Sequence, residues 1–260
     1  MTATFTENAG VRIAYESFGD GPALLLMQGI GYARWSWDPI VPALAERFRV
    51  LSFDNRGIGE SDVPPSPYTA RQLAEDGIAV LDDAGVHRSH VLGASLGGMA
   101  AQELAAGFPQ RVDKLVLACT TPGGAAAVPM PAQTVALMQE AAALAPEVAM
   151  RRFVENALAP HADPALVHEL YERRVGNPPD PIGWQGQAAA GMSFDGSALE
   201  FAAPTLILHG TEDAVVDPGN AALLAERIPG ARVELFSGCG HLFFWEQPER
   251  FAETVAEFLG

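Results

Sequence analysis

The pentad Gly93-Ala-Ser95-Leu-Gly97 sets a serine between two glycines, each two positions away. Where such a pentad joins a strand to a helix, the serine sits in a strained turn that lifts its hydroxyl clear of the sheet. A serine hydroxyl is a weak nucleophile without a base. Of the six histidines, His241 fits that role. It stands in Gly238-Cys-Gly-His241, a glycine-rich loop with no structural need for an imidazole. His87 and His90 flank the strand before the pentad and read as strand-start or core residues. His161 and His168 lie in a polar helical stretch, and His209 ends a strand, where it braces the following loop. The base needs a carboxylate to fix its tautomer and stabilise the imidazolium. His209-Gly-Thr-Glu-Asp213 offers one just past a strand end, and Asp213 is the expected acid. Glu212 and Asp217 are the alternatives, although Asp217, before Pro218, better suits a helix cap. Ser95, Asp213 and His241 together describe nucleophilic acyl transfer.

These residues need a common scaffold to meet. Short apolar runs alternate with amphipathic stretches, the pattern of a mostly parallel sheet covered on both faces. The spacing predicts strands at 11–18, 23–27, 49–53, 90–92, 114–118, 205–209 and 233–236. It predicts helices at 37–48, 70–84, 96–106, 220–228 and 248–259. The 11–18 segment alternates and ends at Gly19-Asp20-Gly21-Pro22, as an edge or hairpin strand would, whereas 23–27 is uniformly apolar, as a central strand would be. Between 125 and 196 no strand pattern appears. Ala, Met, Glu and Arg predominate there, broken by Pro and Gly into short helices, and strand–helix alternation then resumes. The expected organisation is therefore an α/β core over 1–124 and 197–260, with 125–196 as a helical cap.

Bulk properties exclude several classes. With 16 Lys and Arg against 32 Asp and Glu, the net charge is −16, and the basic residues do not cluster. That argues against nucleic acid and against anionic membrane surfaces. No apolar run approaches the ~20 residues of a membrane span. The N-terminal residues show no basic and apolar leader. Cys119 and Cys239 lack metal-ligand spacing and read as free thiols of a reducing compartment, so a cytoplasmic protein is expected. No metal or organic cofactor is expected.

The combination resembles the α/β-hydrolase fold family over essentially the whole chain. The matching pieces are the serine pentad, Asp54-Asn-Arg56-Gly57-Ile-Gly59-Glu-Ser61, His209-Gly210-x-x-Asp213, and Gly240-His241 followed by Glu246-Gln-Pro248. The resemblance implies an eight-stranded, mostly parallel sheet with helices on both faces and a helical cap. It also implies Ser95 as nucleophile, Asp213 as acid and His241 as base. Some members carry the acid after the strand that follows the elbow helix. Here that position reads Cys119-Thr-Thr-Pro122, without a carboxylate. Asp54 and Arg56 are expected to organise a loop beside the site rather than to react.

Within the family, the chain resembles the 3-oxoadipate enol-lactonase and carboxylesterase-like group. The shared local pieces are Trp37-Asp-Pro-Ile-Val-Pro42, Ser95-Leu-Gly-Gly98 and Ala225-Glu-Arg-Ile-Pro-Gly-Ala231. The implied activity is hydrolysis of a small to medium carboxylic ester or lactone through an acyl-enzyme. Gly238-Cys-Gly-His241 and Trp245-Glu246 are also similar to carbon–carbon bond hydrolases of diketone ring-cleavage products. Those carry tryptophan after the histidine, where this chain has Leu242. A non-hydrolytic ligand-binding or cyclase member of the same fold is the third alternative.

The apolar run Leu24–Met27 ends in Gln28-Gly-Ile-Gly-Tyr32. Glycines 29 and 31 keep this loop bare enough for a carbonyl oxygen to approach. By resemblance, the Ile30 N–H is one oxyanion donor and the Leu96 N–H the second. Relatives carry histidine where this chain has Gln28, whose amide can brace the loop by hydrogen bonding as an imidazole would. Gly29, Trp35 and Phe243 are candidate substrate contacts, the last two from an aromatic group that also includes Trp37, Phe244 and Trp245.

Overall fold

Four consecutive residues, Leu24 to Met27, are fully buried, because their strand runs through the centre of a sheet covered on both sides. The computed structural model describes residues 3–141 and 143–260. Met1 and Thr2, the start of the N-terminal stretch searched for a leader, lie outside the described residues. The strands are β1 (Thr4–Asn8), β2 (Val11–Phe18), β3 (Ala23–Met27), β4 (Arg49–Phe53), β5 (Ser89–Ala94), β6 (Val112–Ala118), β7 (Thr205–Gly210) and β8 (Arg232–Phe236). They form one eight-stranded sheet in the order β1-β2-β4-β3-β5-β6-β7-β8. Only β1 and β2 run antiparallel to their neighbours.

Side chains alternate across the sheet. Leu24 and Leu26 belong to one core, while Leu25 and Met27 belong to the other. The first core is closed by α1 (Val41–Ala45) and α10 (Pro248–Leu259), with the short α9 (Phe243–Glu246). The second is closed by α2 (Ala70–Asp83), α3 (Leu96–Gly107) and α8 (Gly219–Arg227). Each fully buried leucine of β3 contributes about 1.5–3 kcal/mol relative to exposure. Between β6 and β7 the chain leaves the sheet for α4 (Ala132–Ala141), α5 (Pro146–Ala157), α6 (Pro164–Gly176) and α7 (Pro181–Ser193). Val154, Ala157, Leu158 and Leu170 of this insertion pack with Leu242 and Trp245 in the first core.

One local expectation is corrected and one is narrowed. The helix expected over 37–48 is a 3-10 turn at Arg34–Trp37 followed by the five-residue α1. Pro39 and Pro42 each remove a backbone donor, so a continuous helix cannot form there. Of the two expectations for 11–18, the hairpin holds and the edge position goes to β1. Thr4–Asn8 pairs with β2 through a two-residue turn, Ala9 (φ 51°) and Gly10 (φ 79°). Both left-handed values match the tight hairpin geometry that suits strand twist.

Candidate active site

Ser95 lies at the end of β5 and start of α3, with φ 54° and ψ −118°. That left-handed backbone is costly for a serine. It is held by Ser95 N–H donating to Ala118 O at 2.9 Å and by Thr120 Oγ1 donating to Ser95 O at 2.7 Å. Gly97 has no room for a side chain, since a Cβ there would lie 1.9 Å from Met27 O. The pentad's second glycine thus lets the end of β3 pass directly against the elbow, and this brings the Gln28–Tyr32 loop to the serine. A Cβ on Gly29 would lie 3.1 Å from Ser95 Cβ.

Asp213 follows β7. Its Oδ2 lies 2.7 Å from His241 Nδ1, and its Oδ1 accepts the Val215 and Val216 N–H groups at 2.8 and 2.9 Å. His209 Nε2 is also 3.0 Å from Asp213 Oδ2, and 3.0 Å from Val216 O. Burial alone would raise the Asp213 pKa. The facing His241 and His209 outweigh it and hold the carboxyl well below the usual carboxylate range. Glu212 instead faces His161 at 3.6 Å, and Asp217 accepts the Gly219 N–H at 2.8 Å at the start of α8. The structure therefore brings Asp213, not the alternatives, to His241.

The His241 loop is clamped from both sides. Glu212 N–H donates to Cys239 O at 2.8 Å, tying the acid loop to it. Glu246 accepts the Gly240 N–H at 2.7 Å and the Ala159 N–H at 2.8 Å, and Leu242 N–H donates to Ala157 O at 2.9 Å. The loop after α5 is thereby fastened to the histidine loop. Burial raises the Glu246 pKa, while these two N–H donors and His161 oppose it. A Cβ on Gly240 would fall 2.5 Å from the Leu158 carbonyl carbon, so the contact demands glycine. With Nδ1 engaged by Asp213, Nε2 is the free nitrogen of His241. Among the described residues no hydrogen bond joins it to Ser95 Oγ. Cys119, at the alternative acid position, is buried, and burial first and the Asp213 charge second push its thiol well up.

The loop after β3 shows how a glutamine serves there. Gln28 Oε1 accepts the Gly29 N–H at 2.6 Å, its Nε2 donates to Ser36 Oγ, and Asn55 Nδ2 donates to Gln28 O at 2.8 Å. Gly31 N–H donates to Gln187 Oε1 at 2.8 Å, and Tyr32 N–H to Gly29 O at 3.4 Å. The Ile30 N–H is the one left over in this turn, and the Leu96 N–H at the first turn of α3 is likewise unpartnered among the described residues. Asp54 and Arg56 are structural neighbours. Arg34 pairs with Asp54, and Arg56 pairs with the buried Asp76 at 2.6 Å.

The candidate substrate contacts divide. Gly29 lies against Ser95. Phe243 is fully buried among Phe236, Phe244 and Phe251, with ring centroids 4.8–6.0 Å away, and it belongs to the core. Trp37 is core as well. Trp35 packs against Trp245 and borders a cavity of about 1100 Å³ that also touches Arg34, Asp54 and Asn177. None of Ser95, Asp213 or His241 lines that cavity. Sequence reasoning missed Gln187, Arg174 and the contact of His209 with Asp213; the first two lay in a segment with no motif to mark them. Among the described residues no three His, Cys, Asp or Glu side chains converge as a metal-ligand set, and no helix is long and apolar enough to cross a membrane.

The sequence profile of the alpha/beta hydrolase fold matches residues 22–248. The chain is 31% identical to a pimeloyl-[acyl-carrier protein] methyl ester esterase of Nitrosomonas europaea, over 92% of this chain and 96% of that protein. It is 32% identical to a 2-hydroxy-6-oxononadienedioate/2-hydroxy-6-oxononatrienedioate hydrolase of Burkholderia vietnamiensis, over 96% of this chain and 91% of that protein. The crystal structure of an enol-lactonase from Burkholderia xenovorans superposes with a TM-score of 0.86 at 26% identity, covering 98% of this chain and 99% of that one.

Proposed function

The chain belongs to the α/β-hydrolase fold family, and from that premise we propose that it is a serine hydrolase cleaving a small to medium carboxylic ester or lactone through an acyl-enzyme. The observation that carries this reading is the Asp213–His241 pair at 2.7 Å, on the sheet edge that also bears Ser95 in its strained turn. Ser95 Oγ attacks the carbonyl carbon as its proton passes to His241 Nε2. The carbonyl oxygen becomes an oxyanion facing the unpartnered Ile30 and Leu96 N–H groups, each such donor supporting about 2.7–4 kcal/mol of transition-state stabilisation. The carbon–oxygen bond to the leaving group breaks as that oxygen takes the proton from Nε2. Water then attacks the acyl-enzyme by the same path, with His241 again holding the proton, and releases the acid and free Ser95.

In this reading residues 125–196 form a cap over a core of 1–124 and 197–260, and the acyl group sits between them. The two free, buried cysteines suit a reducing cytoplasm. Turnover of p-nitrophenyl acetate and butyrate by the wild type, abolished in Ser95→Ala, is the expected result. Binding of esters without Ser95-dependent turnover would instead make the chain a ligand-binding or cyclase-like member. A serine-directed phosphonate should label Ser95, and labelling elsewhere would overturn the nucleophile. The similarity to the Burkholderia vietnamiensis hydrolase supports a second reading, carbon–carbon cleavage of a diketone ring-cleavage product. That reading is favoured if such a diketone outcompetes every ester and lactone in a substrate panel.

A further inference from the structure

Both backbone groups of Gly31 are held by side chains from the helical insertion. Gln187, fully buried on α7, accepts the Gly31 N–H through Oε1 at 2.8 Å and donates through Nε2 to Arg56 O at 2.9 Å. The two partners require opposite ends of the amide, so its orientation is fixed by chemistry. Arg174, buried on α6, donates to Gly31 O, and its guanidinium lies 4.3 Å from the centre of the Tyr32 ring. Gly31 itself has φ 68°, and a Cβ there would lie 2.9 Å from Trp184 Cδ1 of α7. On the core side, Gln28 and Asn55 hold Gln28 O and Gly29 N–H. The peptide between Gly29 and Ile30, whose N–H is the unused donor, is therefore suspended between a core clamp and an insertion clamp.

We propose that Gln187 is a positioning residue that aims the Ile30 N–H, so that the oxyanion hole is complete only while the insertion is seated on the core. This rests on the hydrolase reading above. Removing Gln187 leaves the Gly31 N–H and Arg56 O without partners, and the turn relaxes to satisfy them. Substrate binding should survive, because the hydrogen bonds of Gln187 go to the Gly31 N–H and Arg56 O and not to Ser95. What suffers is the tetrahedral species, whose charge forms where the Ile30 N–H no longer points. Arg174 and Gln187 come from two different helices of the insertion, so tilting it off the core withdraws both contacts from Gly31 together.

The test compares Gln187→Met, which keeps the length and loses both hydrogen bonds, with Gln187→Glu, whose neutral acid form, favoured by burial, keeps an acceptor for the Gly31 N–H and an O–H donor for Arg56 O. On p-nitrophenyl butyrate, Gln187→Met should lose roughly 10–100-fold in kcat while KM stays within about threefold. Its affinity for a trifluoromethyl ketone, which forms a tetrahedral adduct on the serine, should fall by the same factor as kcat/KM. Gln187→Glu should recover most of the loss. Exchange of the Gly31 amide, measured relative to the β3 amides so that any change in global stability is set aside, should accelerate in Gln187→Met and not in Gln187→Glu. Unchanged kcat and ketone affinity in a folded Gln187→Met would overturn the proposal, as would equal losses in both variants or a loss confined to KM. Absence of Ser95-dependent turnover in the wild type would instead sink the hydrolase reading on which it stands.

Discussion

His209 Nε2 lies 3.0 Å from Asp213 Oδ2, on the same oxygen that faces His241. Its other neighbour, Val216 O, is also an acceptor at 3.0 Å, so Nε2 carries the proton. His209 Nδ1 is buried without a partner among the described residues. A hydrogen bond to a charged acceptor is worth about 1.5–3 kcal/mol, and its loss from the acid corresponds to roughly a 10–100-fold change. His209→Leu should lower kcat on that scale with little change in KM, while His209→Gln, which retains an N–H, should recover part of the rate. Nitrogen chemical shifts of the wild type should report the Nε2–H tautomer.

Asp213 and Asp217 differ in what they hold. Asp213 faces His241, whereas Asp217 accepts the Gly219 N–H at the start of α8. Asp213→Asn should therefore cost about 10³–10⁴-fold in kcat, the scale for losing the acid that fixes a triad tautomer. Asp217→Asn should cost less than about 1 kcal/mol of stability, since asparagine also caps, and leave kcat near the wild-type value. Steady-state kinetics on one ester suffices, and a larger rate loss in Asp217→Asn would reverse the assignment.

The depressed Asp213 pKa carries a stability signature. A carboxyl held below its unfolded value of about 3.9 binds fewer protons folded than unfolded. Its contribution is thus fully present above that value and disappears as the pH falls toward the folded pKa. The difference in unfolding free energy between wild type and Asp213→Asn should shrink as the pH falls below about pH 4. Burial raises the values of Asp54, Asp76 and Glu246, which acts in the opposite sense, but those groups are common to both proteins and cancel in the difference. Denaturant titrations across that range measure it, and a difference that grows on acidification would contradict the sign.

Gly97 ties the elbow to the loop after β3. A Cβ there would meet Met27 O at 1.9 Å, Met27 C at 2.4 Å and Gln28 O at 2.8 Å, all backbone atoms. Gly97→Ala must push the end of β3 away from α3, costing about 1–3 kcal/mol or more, and it should depress kcat by moving Ile30. Gly176→Ala, where a Cβ meets nothing within 4 Å, is the control and should leave the melting temperature and kcat near wild type. Thermal melts and kinetics on the two variants separate the outcomes.

Much of this molecule was legible in its residues because the information was local. The strand–helix rhythm, the serine between glycines, and glycine-rich loops at strand ends all follow from short-range backbone physics, so the parallel sheet, Ser95 and the Asp213 and His241 loops could be located in advance. The all-apolar β3 declared itself central, since only a strand covered on both faces omits polar residues. β1 escaped notice because its five residues are half exposed and carry only weak alternation. The aromatic residues misled for a related reason. Phe243 and Trp35 have the same chemical character, and only packing decides that one is sealed in the core while the other borders a cavity.

The amino-acid sequence by itself determined the fold class and the side-chain types set at the strand ends. Tertiary structure alone decided which carboxylate faces His241, that His209 shares its oxygen, and that Gln187 and Arg174, more than 140 residues beyond the Gln28 loop in the chain, fasten Gly31. Those are long-range contacts between buried polar groups. No spacing rule announces them, because their partners are chosen by the requirement that every buried donor and acceptor be satisfied once the chain has closed around it.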